Sequence, residues 1–373
     1  MPSVSGSDAE SHVAEARADY VRSLAEPRAE EQLAFLSNLQ RILQEGDFSA
    51  TYKFALLIAL TELAVERGED GTAPLRLEIA WIAEKFAELY WPQTIPYRSG
   101  VDGDARILAQ NLGQTAKVAA TLLRLREVTG ANSISQARES REWQQALAAI
   151  GQTVRTQPLK FLQNVGGGTL DFIYSTTHEP LAIELRPGVA FNFRRFSGLI
   201  GDLARSGWIR HVRANSRNRE LIGESGDLES FMFGTQRAAL EPVREFLHSF
   251  QASQCFYCGR RLNSGGDVDH FIPWSLYPRD LAHNFVLAHE ECNRSKSDML
   301  AGLTHLRRWK DRNRDHGIAI GEEIRRRGFV NDLDCSHTVA RWAYRHAART
   351  SAHGWLARGC TEPIGSDHFA SVS

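Results

Sequence analysis

The sequence predicts an α+β protein in which a mainly helical N-terminal region with a short β element precedes a compact metal-binding segment and C-terminal helices. Three observations support this prediction. Apolar residues recur with the helical period over much of the first 155 residues. Two β-branched and aromatic runs follow at 169–175 and 180–186. Three of the five cysteines then lie close together within residues 255–292.

The composition is that of a globular protein. A chain of 373 residues is long enough for two or three domains, and 42% hydrophobic with 24% charged residues is ordinary. The net charge of −1 predicts no overall attraction to nucleic acid, so such contacts would depend on local basic patches. The first 30 residues lack the apolar core of a signal peptide, and the most apolar run, 54–60, is too short to span a membrane. We therefore expect a cytoplasmic protein with no membrane partner.

Helices are predicted wherever apolar positions follow the 3.6-residue period. Residues 33–43 show this period, and the helix that follows near residue 52 is apolar on most sides, as in the centre of a bundle. Further helices are expected across 75–89, 103–127, 136–151, 190–204, 228–250 and from 338 to about 356. The runs at 169–175 and 180–186 are expected to form a hairpin or two adjacent strands.

These elements group into five predicted segments along the chain. In order, they are a mobile arm at 1–28, a helical domain at 29–155, a mixed α/β basic segment at 156–250, the metal-binding module at 251–300 and a helical extension at 301–373.

Two half-sites with metal-ligand spacing flank this module. Cys255-x-x-Cys258 is one, and His289-x-x-Cys292 is the other. Two thiolates on a tight turn, with a histidine and a cysteine one helical turn apart, supply four tetrahedral ligands for a structural zinc ion. Gly259 suits the sharp turn that the chain must make around a metal. The alternative is a pair of surface cysteines with a coincidental histidine.

Aspartate, histidine, asparagine and lysine residues that could take part in catalysis lie between and after the half-sites. Asp269-His270 comes first, and Asn284 follows fourteen residues later. Asn293 comes directly after Cys292, and Lys296 three residues after Asn293. This order resembles the HNH (ββα-metal) endonuclease family, in the variant whose fold is braced by zinc. That family has a C-x-x-C, a D-H on its first strand, a central Asn, a second C-x-x-C, then a His or Asn and a Lys.

The sequence departs from the family pattern at two positions. His289 replaces the first cysteine of the second pair, which zinc tolerates. Asn293 replaces the final histidine, and either side chain binds the catalytic metal in the family. An alternative assigns His289 to the catalytic ion and leaves three thiolates for zinc. Its position three residues before Cys292 favours zinc.

The resemblance implies a role for each residue. His270 would be the general base, since the pKa of imidazole lies near working pH. Asp269 and Asn293 would hold one Mg²⁺ or Mn²⁺ ion through oxygen atoms. Asn284 would bond the loop backbone and so orient His270, while Lys296 would contact a phosphate. The alternatives are a capping Asp269 with a core His270, a turn residue at Asn284 and a solvated surface lysine at Lys296.

Two basic stretches are candidates for holding nucleic acid. The first runs from Arg186 to Arg219, includes Arg194 and Arg195, and is interleaved with aromatic residues suited to stacking on bases. The second follows the module directly, and its cations are Arg307, Arg308, Lys310, Arg312 and Arg314. A charge cluster can also be simply a solvated face.

The sequence thus predicts a metal-dependent endonuclease acting on DNA, because most of the resembling family acts on DNA rather than RNA. A zinc-braced nucleic-acid-binding or sensor module without cleavage and an RNase are the alternatives. Bacterial restriction and anti-phage defence proteins also place a helical region before a C-terminal HNH module, so a defence role is expected by analogy. The helical region would bind a partner protein, or the chain would form a homodimer.

Overall fold

The computed structural model describes residues 25–98, 105–112, 116–175, 179–222, 227–234, 240–263 and 265–371. The expected mobile arm at 1–28 therefore lies almost wholly outside the described residues. Within those ranges the chain is α+β, with helices predominating and strands occurring only as short antiparallel pairs. No helix in the described ranges has the length and apolarity needed to cross a bilayer.

The helices in chain order are α1 Ala29–Glu45, α2 Tyr52–Arg67, α3 Ile79–Tyr90, α4 Lys117–Thr129, α5 Ile134–Arg138, α6 Trp143–Thr156, α7 Pro158–Phe161, α8 Val189–Arg195, α9 Ser197–Ala214, α10 Ser216–Ile222, α11 Leu228–Phe233, α12 Glu241–Phe250, α13 Glu290–Lys296, α14 Leu303–Arg325, α15 Leu333–Arg349 and α16 Ser366–Ala370. The strands are β1 Leu75–Glu78, β2 Tyr97–Arg98, β3 Ala105–Arg106, β4 Asn164–Val165, β5 Gly168–Thr169, β6 Ala182–Leu185, β7 Asp267–His270, β8 Phe285–Ala288, β9 His353–Ala357 and β10 Cys360–Pro363.

The chain forms two compact units that alternate along the sequence. Of the described residues, the first unit takes those within 25–86, 109–117 and 147–215, and the second takes those within 87–108, 118–146 and 216–371. The five consecutive segments expected from the sequence divide the chain differently and stay a prediction.

Helix α2 lies at the centre of the first unit, as the apolar residues on most of its sides predicted. Every residue from Tyr52 to Thr61 is buried, and α2 packs against α8 and α9. The backbone of α9 comes close because Gly207 has no side chain, and a Cβ there would overlap the ring of Phe54. A helix that is buried on nearly all sides needs such neighbours to be stable.

Two expectations for this unit were wrong. Residues 75–78 form strand β1 rather than the first turn of a helix, and α3 begins only at Ile79. Strand β1 pairs antiparallel with β6, so residues 169–175 are not the hairpin partner of 180–186. They contribute only a bridge from Tyr174 to Leu185. Strand β6 thus takes its partner from more than a hundred residues away, which local periodicity does not reveal.

The metal-binding module lies wholly within the second unit. Strands β7 and β8 pair antiparallel, with Asp267 opposite Ala288 and His270 opposite Phe285. Helix α13 follows directly and completes a ββα arrangement. Helix α14 packs against this ββα arrangement through Trp309. The Trp309 ring stacks on the ring of Phe271, with 5.1 Å between the ring centroids.

The C-terminal extension contains strands that the sequence did not predict. Helix α15 ends at Arg349, and residues 353–356, which were expected to prolong it, lie in strand β9 of the hairpin β9–β10. Gly302 N donates to Trp355 O at 2.7 Å, and Trp355 N donates to Leu300 O at 2.8 Å. The hairpin is therefore tied to the chain that leaves the module.

Candidate metal centre and active site

The four predicted zinc ligands lie together. The Sγ atoms of Cys255, Cys258 and Cys292 and a ring nitrogen of His289 are all within 4.8 Å of one another. The first pair sits on a tight turn in which Gly259 N donates to Cys255 O at 2.9 Å, and Gly259 has a φ of 70°. Three thiolates and one imidazole form a donor set that zinc accepts in tetrahedral sites. The cluster therefore fits a structural zinc ion.

The imidazole of His289 is oriented toward the thiols. Its Nδ1 lies 3.3 Å from Cys258 Sγ, and its Nε2 lies 3.1 Å from the carbonyl oxygen of Arg261. Because a carbonyl only accepts, Nε2 carries the hydrogen and Nδ1 offers its lone pair to the cluster. This is the usual arrangement of a metal-ligating histidine and its hydrogen-bonded partner.

The thiols have unequal affinities for protons. Burial raises the pKa of Cys258, but hydrogen bonds from Arg260, Cys255 and His289 outweigh burial and lower it to about 6. Burial and the negative charges of Cys255 and Cys258 raise the pKa of Cys292 to about 12. A divalent cation would compensate these charges and allow all three thiols to ionise.

His270 ends strand β7 with its side chain 12% exposed. Its Nε2 lies 2.7 Å from Asp280 Oδ1, so Nε2–H donates to that carboxylate and the lone pair remains on Nδ1. The rings of Trp274 and Phe285 lie nearby, each with its centroid 5.1 Å from that of the imidazole. Asp280 was not predicted from the sequence, because an acid in a loop ten residues after His270 has no spacing that marks it.

Asn284 bonds the loop that follows His270. Its Oδ1 accepts from Ile272 N at 2.7 Å, and its Nδ2 donates to Ile272 O at 2.9 Å. Phe271 N also donates to the carbonyl oxygen of Asn284 at 2.8 Å. These three bonds hold the residues immediately after His270 against the start of β8. Their effect on catalysis stays a prediction.

Asp269 belongs to a buried network with Tyr257 and Lys296. The Tyr257 hydroxyl donates to Asp269 Oδ2 at 2.5 Å, and Lys296 Nζ lies 3.1 Å from the same oxygen. Burial and the neighbouring Asp269 charge raise the pKa of Tyr257 well above its usual value, so the hydroxyl stays a donor. Tyr257 lies between two cysteines, where nothing in the sequence pointed to this role.

The position of Lys296 differs from the expected phosphate contact. Its side chain is 0% exposed, and besides the ion pair its Nζ donates to His270 O at 3.0 Å. A buried ammonium must be paired, and this one is paired inside the module. Lys296 therefore acts on Asp269 and on the backbone of His270 rather than on a phosphate at the surface.

Asn293 lies beside Asp267. Its Nδ2 is 3.4 Å from Asp267 Oδ2, and Asp267 shares a strand face with Asp269, two residues on. Carboxylate and amide oxygens are the donors that Mg²⁺ and Mn²⁺ prefer, and the ion expected at Asp269 and Asn293 stays a prediction. Asp269 would share its carboxylate with the Lys296 ammonium. Asp267 is a further candidate ligand that the sequence analysis did not name.

Comparison with protein families separates two parts of the chain. Residues 32–231, more than half of the 373, match a family described as a domain of unknown function, DUF8808. The chain belongs to the DUF8808 family. Residues 255–301 match the HNH endonuclease family, and that range contains the four-ligand cluster, β7, β8 and α13. No curated protein and no solved structure matches the chain.

Within the DUF8808 segment, the predicted nucleic-acid contact Arg194 is buried. Its guanidinium donates to Ala64 O at 3.1 Å and Val65 O at 2.9 Å, and it pairs with Asp70 at 3.1 Å. Arg194 therefore satisfies carbonyls at the C-terminal end of α2, which is a structural role. Its neighbour Arg195 is half-buried. The aromatic residues expected to stack on bases are mostly core residues, namely Phe191, Phe193 and Trp208.

Beside the HNH segment, the second basic stretch divides into two kinds of residue. Arg308 donates to Tyr257 O at 3.1 Å, and Arg312 donates to Phe285 O at 2.8 Å. These two cations brace the module from α14. Arg307 is exposed and Lys310 is partly exposed. Arg314 is also exposed, but its guanidinium pairs with Asp311 and Asp315. That Arg307 and Lys310 contact nucleic acid stays a prediction.

Proposed function

We propose that the chain is a metal-dependent endonuclease that hydrolyses phosphodiester bonds in DNA, with His270 as the general base. One observation carries the proposal. The Nε2–H of His270 is held by Asp280 Oδ1 at 2.7 Å, in a ββα segment that matches the HNH endonuclease family. This leaves Nδ1 as the basic nitrogen, and a carboxylate behind an imidazole is the arrangement of an oriented base.

Each of these residues of the module then has its own role in hydrolysis. His270 Nδ1 takes a proton from the water that attacks phosphorus, and the Asp280 carboxylate stabilises the imidazolium that forms. Asn284 keeps the loop after His270 in place through its bonds to Ile272. Lys296 holds the Asp269 carboxylate in its buried position.

Asp269 and Asn293 would hold one Mg²⁺ or Mn²⁺ ion, with Asp267 as a further oxygen donor. When bound, such an ion stabilises the negative charge that develops on the phosphate and on the leaving 3′-oxygen. The zinc cluster has a separate task, since four protein ligands leave no open position for substrate. It would fasten the turn before β7 to the N-terminal end of α13, where His289 caps the helix.

The substrate and setting are proposed on less direct grounds. DNA is preferred over RNA from the HNH family resemblance, and Arg307 and Lys310 would contact its backbone. A helical region before an HNH module supports a cytoplasmic role in restriction or anti-phage defence, with a partner protein or a second copy bound by that region. Phage plating on cells that express the wild type or His270→Ala tests this. A defence role requires that only the wild type lowers plaque counts.

Nicking of supercoiled plasmid DNA in Mg²⁺ or Mn²⁺ tests the activity itself. We expect cleavage by the wild type and by His353→Ala, which removes an exposed histidine of the C-terminal hairpin, and none by His270→Ala. Equal cleavage by all three would reject His270 as the base. Cleavage of RNA but not DNA would assign an RNase. DNA binding without cleavage of either substrate would assign a non-cleaving module.

A further inference from the structure

A carboxylate of the DUF8808 segment binds the loop that carries Asp280. Glu88 lies near the C-terminal end of α3, and its Oε1 accepts from Nη2 of Arg279, the residue directly before Asp280. Nη2 of Arg138, in α5, donates to the same oxygen at 2.5 Å. All of these residues belong to the second unit. A salt bridge therefore joins the DUF8808 segment to the HNH segment within one compact unit.

The three charged side chains of this salt bridge are largely shielded from water. The exposed fraction is 14% for Glu88, 15% for Arg279 and 22% for Arg138. Ion pairs at the surface contribute little because water and salt screen their charges, and shielded pairs are screened less. Arg138 also restrains the Glu88 carboxylate from the side of α5. The Glu88 side chain is therefore a fixed point to which Arg279 is attached.

The chain is restrained on both sides of Asp280. Before it, Arg279 is bound to Glu88. After it, Leu281 forms a parallel β-bridge with Val330, in the segment between α14 and α15. Leu281 N also donates to Arg279 O at 3.1 Å, across Asp280. Since both neighbours of Asp280 are tied to other elements, its backbone can move only if one of these contacts breaks.

We propose that Glu88 is a positioning residue for the general base, acting through Arg279 on Asp280 and so on His270. The inference rests on the proposed nuclease function, which gives His270 its task. Asp280 Oδ1 accepts from His270 Nε2 at 2.7 Å, and such a bond weakens steeply when its distance or angle changes. A displacement of Arg279 is passed to Asp280 through one planar peptide group. Without the Glu88 carboxylate, the imidazole is therefore less often held with Nδ1 toward the attacking water.

A cycle of variants tests whether Glu88 acts through Asp280. In steady-state cleavage of a labelled duplex, Glu88→Gln should lower kcat about two- to thirtyfold, the range for residues that influence a site from a distance. KM for DNA should stay unchanged, because Glu88 does not touch substrate. In an Asp280→Ala background, Glu88→Gln should cost little further activity, since the contact through which it acts is already gone. The same fold loss of kcat in both backgrounds would overturn the inference.

Two further variants separate positioning from folding. Arg279→Gln breaks the same salt bridge from the HNH side and should lower kcat by a similar factor, so it replaces Glu88→Gln if that variant is unstable. Glu139→Gln is the matched control. It removes a carboxylate of the DUF8808 segment that pairs with Arg325 at the exposed surface, and it should keep wild-type kcat. Failure of both salt-bridge variants to fold would make the contact purely structural and overturn the positioning role.

Hydrogen–deuterium exchange gives a readout that needs no cleavage. Backbone amides of the loop at 276–284 should exchange faster in Glu88→Gln than in the wild type, whereas those of the cysteine turn at 255–259 should not change. Unchanged exchange in the loop, or wild-type kcat in Glu88→Gln, would overturn the inference. A wild type that cleaves neither DNA nor RNA would instead reject the nuclease function, and loop exchange would still decide whether Glu88 holds Asp280 in place.

Discussion

His270 and Asp280 are joined through Nε2 and Oδ1 at 2.7 Å, although the first ends strand β7 and the second lies in the loop before β8. The bond fixes which ring nitrogen carries the hydrogen. It also restrains the imidazole, whose ring centroid lies 5.1 Å from those of Trp274 and Phe285. The direction of the proposed base therefore depends on a carboxylate that is not part of the recognised motif.

Replacing Asp280 should slow cleavage without weakening substrate binding. For Asp280→Ala we expect kcat to fall roughly ten- to hundredfold, the usual cost of losing a residue that orients another. KM for DNA should stay unchanged, because Asp280 orients the base and is not assigned to substrate. Asp280→Asn keeps an acceptor oxygen and should lose less activity. Steady-state cleavage of a labelled duplex measures both constants. Wild-type kcat in Asp280→Ala, with an unchanged melting temperature, would contradict this role.

Zinc should depend on the four-residue cluster and not on the other cysteines. Cys258→Ser removes a ligand and should leave the purified protein with well under one zinc per chain by atomic emission. Cys360→Ser removes an exposed cysteine outside the cluster and should keep about one zinc ion. A strong chelator should unfold the module, since such a site contributes to folding directly. A wild type without near-stoichiometric zinc would refute the assignment.

The buried pair of Lys296 and Asp269 should be coupled in stability. Lys296→Met leaves a buried carboxylate unpaired, which typically costs about 3–5 kcal/mol. Asp269→Asn in the same chain removes that charge and should restore part of the loss. A double-mutant cycle from denaturant unfolding measures the coupling. Lys160→Met, which removes an exposed lysine of α7, is the matched control and should change stability little. Additive effects of the two buried changes would contradict the pairing.

The exposed and the buried basic residues should differ in how much they contribute to the salt dependence of DNA binding. Arg307→Ala should weaken DNA binding and reduce the slope of log affinity against log salt by roughly 0.9, the value for one lost phosphate contact. Arg194→Met should leave that slope unchanged and lower the free energy of unfolding by roughly 2 kcal/mol, because buried carbonyls and Asp70 lose their donor. Fluorescence anisotropy over a range of salt concentrations measures the slope. The opposite pattern would reverse the two assignments.

Helical regions were predictable to the extent that local patterns determined them. The buried helix α2 follows from an apolar run that leaves few polar positions. Strand β1 was not predictable, since residues 75–78 continue an apolar pattern that a helix also satisfies, and their partner β6 lies far along the chain. The hairpin β9–β10 was not predicted from the sequence for a related reason. It is held through Trp355 to Leu300 and Gly302, contacts that no local pattern encodes.

Within the HNH segment, the sequence by itself determined which four residues form the cluster that could hold a metal ion, because the spacing of thiolate and imidazole ligands reflects the geometry of one ion. It also determined the order of His270, Asn284 and Asn293. Only the tertiary structure decided their partners: Asp280 behind the imidazole, Tyr257 and Lys296 on Asp269, and Asp267 beside Asn293. Lys296 and Arg194 were expected to contact nucleic acid at the surface, but both are buried inside the protein. Hydrogen bonds and ion pairs between distant residues depend on how the strands and helices pack, and spacing along the chain does not specify that packing.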